Sequence, residues 1–118
     1  MVKRGCEPYY ECSSAGDRRF SAFFARPATL NGRTIEQAYQ GMKVFADGTT
    51  GLTIKQAKGK RAINHLACVV AYHHWWVEWV FQEDLLPELK SKSGLSDIFG
   101  SESSVCQADV LWDIRNEY

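Results

Sequence analysis

The chain carries no net charge: 14 lysines and arginines stand against 14 aspartates and glutamates. A protein that coats nucleic acid by displacing counterions needs a large basic excess. That class is excluded, and any nucleic-acid contact is expected to be local and small. No CxxC pair occurs among Cys6, Cys12, Cys68 and Cys106, and their spacings match no zinc pattern. No apolar run approaches the roughly 20 residues of a membrane span. The richest stretch, HLACVVAYHHWWVEWVF, is interrupted by His65, His73, His74 and Glu78. The opening MVKRGCEPYY has charge but no apolar run behind it, so no signal peptide is expected. Repeats, linkers and low-complexity segments are absent too. These absences lead to the expectation of free thiols in a reducing compartment and of a soluble, cytoplasmic chain. Its 118 residues suffice for one domain with one core.

What is present reads as follows. Residues 1–18 are polar and turn-rich, with SSAGD at 13–17, and are expected to form a loosely ordered lead-in. Pro27 breaks any helix in RRFSAFFARPATL, and Asn31-Gly32 is a hairpin signal. A small two-stranded element over 20–34 is predicted. Thr34 is a fair N-cap for a helix from Ile35 to about Phe45. Ile35, Ala38, Tyr39, Met42, Phe45 and Ala46 form its apolar face, and Glu36 falls where the helix dipole favours negative charge. Thr53 caps a second helix that continues, with a break at Gly59, into a long apolar one. That helix is expected to be buried on more than one side, with Trp75, Trp76 and Trp79 in the core. Pro87 kinks it or starts a new turn. Gly94 and Gly100 punctuate a loop-rich segment, and DVLWDI (109–114) is expected to be a short strand or turn. The predicted fold class is mainly α with a minor β element, an α+β fold in one domain.

Few clusters carry chemistry. Glu36, Gln40 and Lys43 stand at i, i+4 and i+7 and share one stripe of their helix. The stripe borders the apolar face, so it is either a solvated surface or the lining of a cleft. Lys55, Lys58, Lys60 and Arg61 form either a solvated surface or a phosphate contact. His73 and His74 point about 100° apart on a helix and make a poor metal pair, so no metal is expected. Cys68 sits on an apolar helix, and Cys106 has no histidine nearby in sequence to activate a thiolate. Asp109, three residues before Trp112, is either a cap or an acid beside a base-stacking ring.

Three of these blocks, in their order, resemble the signature of the NADAR family, also called YbiA-like after NAD and ADP-ribose. Phe20, Ser21 and Phe23 match its Phe-Ser-x-Phe block. Glu36, Tyr39, Gln40 and Lys43 match its E-x-x-[YF]-Q-x-x-K helix. Asp109 and Trp112 match its late Asp, preceded by a Ser and followed three residues on by Trp. QAKGKR loosely resembles the family's Ala-Lys and Gly-Arg. The resemblance spans nearly the whole chain and implies a small NADAR-type domain acting on the N-glycosidic bond of a ribose. Family members are associated with removing ADP-ribose from guanine bases of nucleic acid, others with cleaving early riboflavin-pathway intermediates. Carried over, Glu36 and Asp109 are the expected catalytic carboxylates. Glu36 would face the ribose cation and orient water, while Asp109 would grip ribose hydroxyls or act as second acid. Gln40 would hold Glu36 or a ribose hydroxyl. Lys43, with Lys58 or Arg61, would bind the diphosphate. Trp112 and either Phe20 or Phe23 would stack a base, with Ser21 and Tyr39 completing the substrate-binding set. No cofactor and no membrane partner are implied. The partner is an ADP-ribose-type nucleotide or ADP-ribosylated guanine.

Asp113 and Arg115 stand where the family usually has glycines, and the family tends to carry a further helix beyond this point. A small or reduced member is therefore the expectation, and the size would suit a compact viral or mobile-element version. A second reading stays open, a non-catalytic pocket that sequesters an ADP-ribose-type ligand. A third is a helical interaction module built on the Trp-rich helix.

Overall fold

The computed structural model describes residues 1–101 and 106–118. The serine preceding the Asp109 block lies outside the described residues. The sheet comes from the stretch expected to be loose. Val2–Gly5 (β1) and Tyr9–Glu11 (β2) flank Gly94–Asp97 (β3) in the order β1-β3-β2. β1 is antiparallel to β3, with Val2 opposite Asp97 and Gly5 opposite Gly94. β2 is parallel to β3, with Tyr9 opposite Gly94 and Glu11 opposite Ser96. The lead-in of 1–18 is thus corrected: what makes it a sheet is a partner strand from the far end of the chain, which no local pattern reports. Gly94 belongs to the centre strand rather than a loop. A Cβ there would collide with the Cys6 carbonyl oxygen.

The two-stranded element predicted over 20–34 is absent. Arg18–Phe20 and Ala28–Leu30 are single 3-10 turns. Asn31 (φ 53°) and Gly32 (φ 89°) supply the positive φ of a reversal, but it leads into a helix. The backbone here is used differently. The carbonyls of Ala25 and Ala22 accept the amides of Ile35 (2.9 Å) and Glu36 (3.0 Å), two of the N–H groups a helix start leaves unpaired.

That helix, Ile35–Met42 (α1), opens with a reciprocal Thr34–Gln37 capping box. It stops at Met42, short of the predicted Phe45. Asn64 takes over there: its Oδ1 accepts the Val44 amide (2.9 Å) and its Nδ2 donates to the Met42 carbonyl (3.0 Å). The second helix is only Ile54–Ala57 (α2), again with a capping box, from Thr53 and Gln56. Gly59 (φ 80°) turns the chain, and the long helix, His65–Gln82 (α3), starts separately.

α3 buries one stripe, Cys68, Tyr72, Trp76 and Val80, and packs on α1 and on Gln107–Glu117 (α5). Burial on more than one side is not found: Leu66 is 78% and Val70 57% exposed. Trp76 is core, whereas Trp75 and Trp79 are half-buried against it, and the Trp79 indole N–H donates to the Arg19 carbonyl (2.7 Å). Leu86–Lys90 (α4) carries Pro87 in its first turn, where the missing N–H has no intrahelical partner to lose. α5 replaces the strand or turn predicted at 109–114. A short apolar run fits either period. Packing of Ala108, Val110, Leu111 and Ile114 against the core selects the helix. The result is a small, mainly helical α+β fold. No helix among the described residues is long and apolar enough to cross a membrane.

Candidate functional site

A cavity of about 630 Å³ opens between α1, the 58–61 loop, the 13–14 turn, the residues after β3 and the start of α5. Of the expected site residues, Phe23, Glu36, Tyr39, Gln40, Lys43, Lys58 and Arg61 line it. The polar stripe of α1 is therefore cavity lining and not a solvated face.

The floor is ordered by hydrogen bonds and rings. Gln40 Nε2 donates to Glu36 Oε1 at 2.8 Å. This fixes the amide, because the opposite orientation would set two acceptors against each other. Gln40 is 4% exposed, and its Oε1 has no hydrogen-bond donor among the described residues. A buried acceptor left open costs of order 1–3 kcal/mol, so this atom is poised for a donor brought in by a ligand. Tyr39 and Tyr72 meet edge to face at 5.1 Å beneath it. Burial pushes the Tyr39 phenol up to about 12, so it stays protonated.

Lys43 is 5% exposed. Its ammonium donates to the carbonyls of Lys60 (2.8 Å) and Ala57 (3.3 Å) and lies 5.3 Å from the Tyr39 ring centre. Burial lowers its pKa, opposed by the Glu36 carboxylate. Two of its three N–H groups thus hold the loop that carries Lys58, Lys60 and Arg61, and among the described residues one N–H remains for a ligand. The exposed basic side chains stand at the rim, with Lys58 5.9 Å from the Phe23 ring centre.

Four expected site residues lie elsewhere, among the described residues that do not line this cavity. Phe20 is fully buried, edge to face with Tyr10 at 5.8 Å. Ser21 is fully buried, and its Oγ accepts the Phe23 amide (3.3 Å). Asp109 pairs with Arg4 and accepts the Cys106 thiol hydrogen (3.5 Å). Trp112 lies against Gly5, where an added Cβ would sit 2.5 Å from its ring, and Arg115 stacks on it at 4.5 Å. The helix at 107–117 turns Asp109 and Trp112 toward β1. Trp112→Ala is accordingly expected to leave affinity for an ADP-ribose-type nucleotide unchanged and to cost about 2 kcal/mol of stability. Titration calorimetry and a thermal melt separate the two. Weakened binding with an unchanged melt would return Trp112 to the site.

The sequence did not mark Asp97 and Gln107, which also line the cavity. Gln107 Nε2 donates to Asp97 Oδ2 (2.8 Å), and Gln107 Oε1 accepts the Ala22 amide (3.1 Å). Burial raises the Asp97 pKa. Cys106 also lines the cavity, and burial holds its thiol up at about 12, so it is protonated and no nucleophile. The one available signal for Asp97 was an acid closing the run GLSD, and nothing local separates that from a loop residue.

Comparison with protein-family models, with curated proteins and with solved structures finds no match to this chain.

Proposed function

We propose that the cavity is a nucleotide-binding site of the N-glycosidase class. Within that class, the reading is removal of ADP-ribose from guanine in nucleic acid, or cleavage of a related ribosyl nucleotide. The observation that carries it is the open Gln40 Oε1 beside the Glu36 carboxylate, below a loop with three cationic side chains. The resemblance of the Glu36–Lys43 helix to the NADAR pattern supports the same assignment. The phosphates take the Lys58–Arg61 rim and the free N–H of Lys43. A ribose hydroxyl donates to Gln40 Oε1. This brings C1′ toward Glu36, and Phe23 offers a ring for a base. As the glycosidic bond opens, positive charge grows on C1′ and O4′. Glu36 stabilises it and takes the proton of the attacking water.

The test uses purified chain and a guanine-ADP-ribosylated DNA oligonucleotide, read by mass spectrometry. Loss of the ADP-ribose mass is the expected result; an intact oligonucleotide and no binding of free ADP-ribose would sink the reading. Lys58→Ala/Arg61→Ala should weaken ADP-ribose binding about 10- to 100-fold, by the loss of two charge-assisted contacts. It should also flatten the salt dependence measured by calorimetry. An affinity equal to the parent's would move the phosphates away from this loop. Asp113 and Arg115 in place of glycines favour a second reading, a pocket that holds the ligand uncut. Recovery of intact ligand after long incubation, with binding retained, would establish it.

A further inference from the structure

The cavity contains two carboxylates from different parts of the fold. Glu36 comes from the first turn of α1 and Asp97 from the end of β3. A set of hydrogen bonds links the Asp97 carboxylate to the main chain of Glu36. Asp97 Oδ2 accepts Gln107 Nε2, Gln107 Oε1 accepts the Ala22 amide, and the Ala22 carbonyl accepts the Glu36 amide. Asp97 Oδ1 is held by the Phe99 amide at 3.0 Å. The Asp97 carboxylate is therefore held against the start of α1 by backbone and a clamped amide, and the Glu36 carboxylate is held in turn by Gln40 Nε2.

Their environments differ. Glu36 is half-buried and faces the cationic loop. Asp97 is 3% exposed and pairs with no cation among the described residues. The ionisable groups around it are Glu11 from β2, Cys12 beyond it, Tyr72 from α3 and Cys106 before α5. None brings positive charge. Burial and the Glu11 carboxylate favour the protonated acid, opposed by hydrogen bonds from the Phe99 and Gly100 amides and from Gln107, and the net direction is upward. Tyr72, on the cavity floor, is held protonated by burial and by the Glu36 carboxylate, and both acids line this one cavity. A buried carboxyl group with no cation paired to it, sharing a cavity with a half-buried one, is the arrangement of an acid and a base.

We infer that Asp97, and not Asp109, is the second carboxyl group of this site, giving its proton to the departing base nitrogen while Glu36 faces the ribose. The assignment rests on the glycosidase reading above. The C1′–N bond breaks and its electron pair goes to the base nitrogen, which takes the Asp97 proton. The water oxygen bonds to C1′ and its proton passes to Glu36. Products are the ribosyl hydroxyl and the neutral base, and solvent returns the proton from Glu36 to Asp97.

The experiment compares two oligonucleotides. One is ADP-ribosylated at guanine. The other carries in addition a methyl group at N7 of that guanine, so its cationic base leaves without a proton. Asp97→Asn should slow turnover of the first about 10²- to 10⁴-fold, the range of general-acid catalysis, and of the second less than about tenfold. With the parent chain, activity on the first should fall as pH rises through the Asp97 pKa, and activity on the second should not. This second measurement needs no variant and stands even where Asp97→Asn unfolds. An Asp97→Asn chain as active as the parent on the first oligonucleotide overturns the assignment while leaving the glycosidase intact. So does an alkaline limb identical for both oligonucleotides. A parent chain inert on both overturns the glycosidase reading, and this assignment with it.

Discussion

Glu36→Gln should fold like the parent chain and lose about 10³-fold or more in turnover of the guanine–ADP-ribose bond, the scale set by removing a preorganised charge from a transition state. The fold should survive because the change is isosteric. The amide carbonyl introduced at this position can still accept from Gln40 Nε2, and the helix keeps its Thr34–Gln37 cap. What disappears is the negative charge opposite the ribose cation and the acceptor for the water proton. The loss reaches Lys43 as well. The Glu36 carboxylate raises the Lys43 pKa against the effect of burial, so its removal lowers that pKa further. Ligand binding in the variant should therefore decline at a lower pH than in the parent. Single-turnover kinetics and a pH series of binding measurements, with a thermal melt as control, report both effects. Near-parental turnover in a folded Glu36→Gln chain removes Glu36 from the mechanism.

The largest effect on stability is expected at Trp76. It is fully buried at the centre of the α3 stripe and meets Tyr72 edge to face at 6.5 Å; Tyr72 in turn meets Tyr39. Trp76→Ala removes the largest fully buried side chain and should cost about 3–5 kcal/mol. That is a large share of the roughly 5–15 kcal/mol a domain has. Because Tyr39 and Tyr72 line the cavity, the variant should also bind nucleotide poorly wherever it remains folded. Urea unfolding gives the first effect and calorimetry the second. A midpoint close to the parent's would mean that α1, α3 and α5 do not share this core.

The α1 segment shows what kind of information was local. Thr34, Gln37 and the repeat Ile35, Ala38, Tyr39 lie within one helix and its cap, so cap, face and polar stripe were all legible. The helix end was not, because Asn64, from beyond α2, takes over the backbone at Met42 and Val44. The sheet was illegible for the same reason: β1 and β2 pair only through β3. The run at 109–114 fitted two periods, and the error had a chemical consequence. A helix there sends Asp109 to Arg4 and Trp112 to Gly5, away from the cavity they were expected to complete.

By itself the sequence determined the helix starts at Thr34 and Thr53, the neutral charge, and the Glu36, Gln40, Lys43 stripe with its basic neighbour segment. These follow from spacing of 3.6 residues per turn and from residue chemistry, both local quantities. Only the tertiary structure decided that the stripe faces a cavity, that Lys43 holds the basic loop over it, and that Asp97 rather than Asp109 shares that cavity with Glu36. Those depend on which distant backbone groups find each other, through Gln107 to Ala22 and through β3 to both its neighbours. Pairing across the chain is settled by burial and complementary hydrogen bonding in three dimensions, and no window of neighbouring residues contains it.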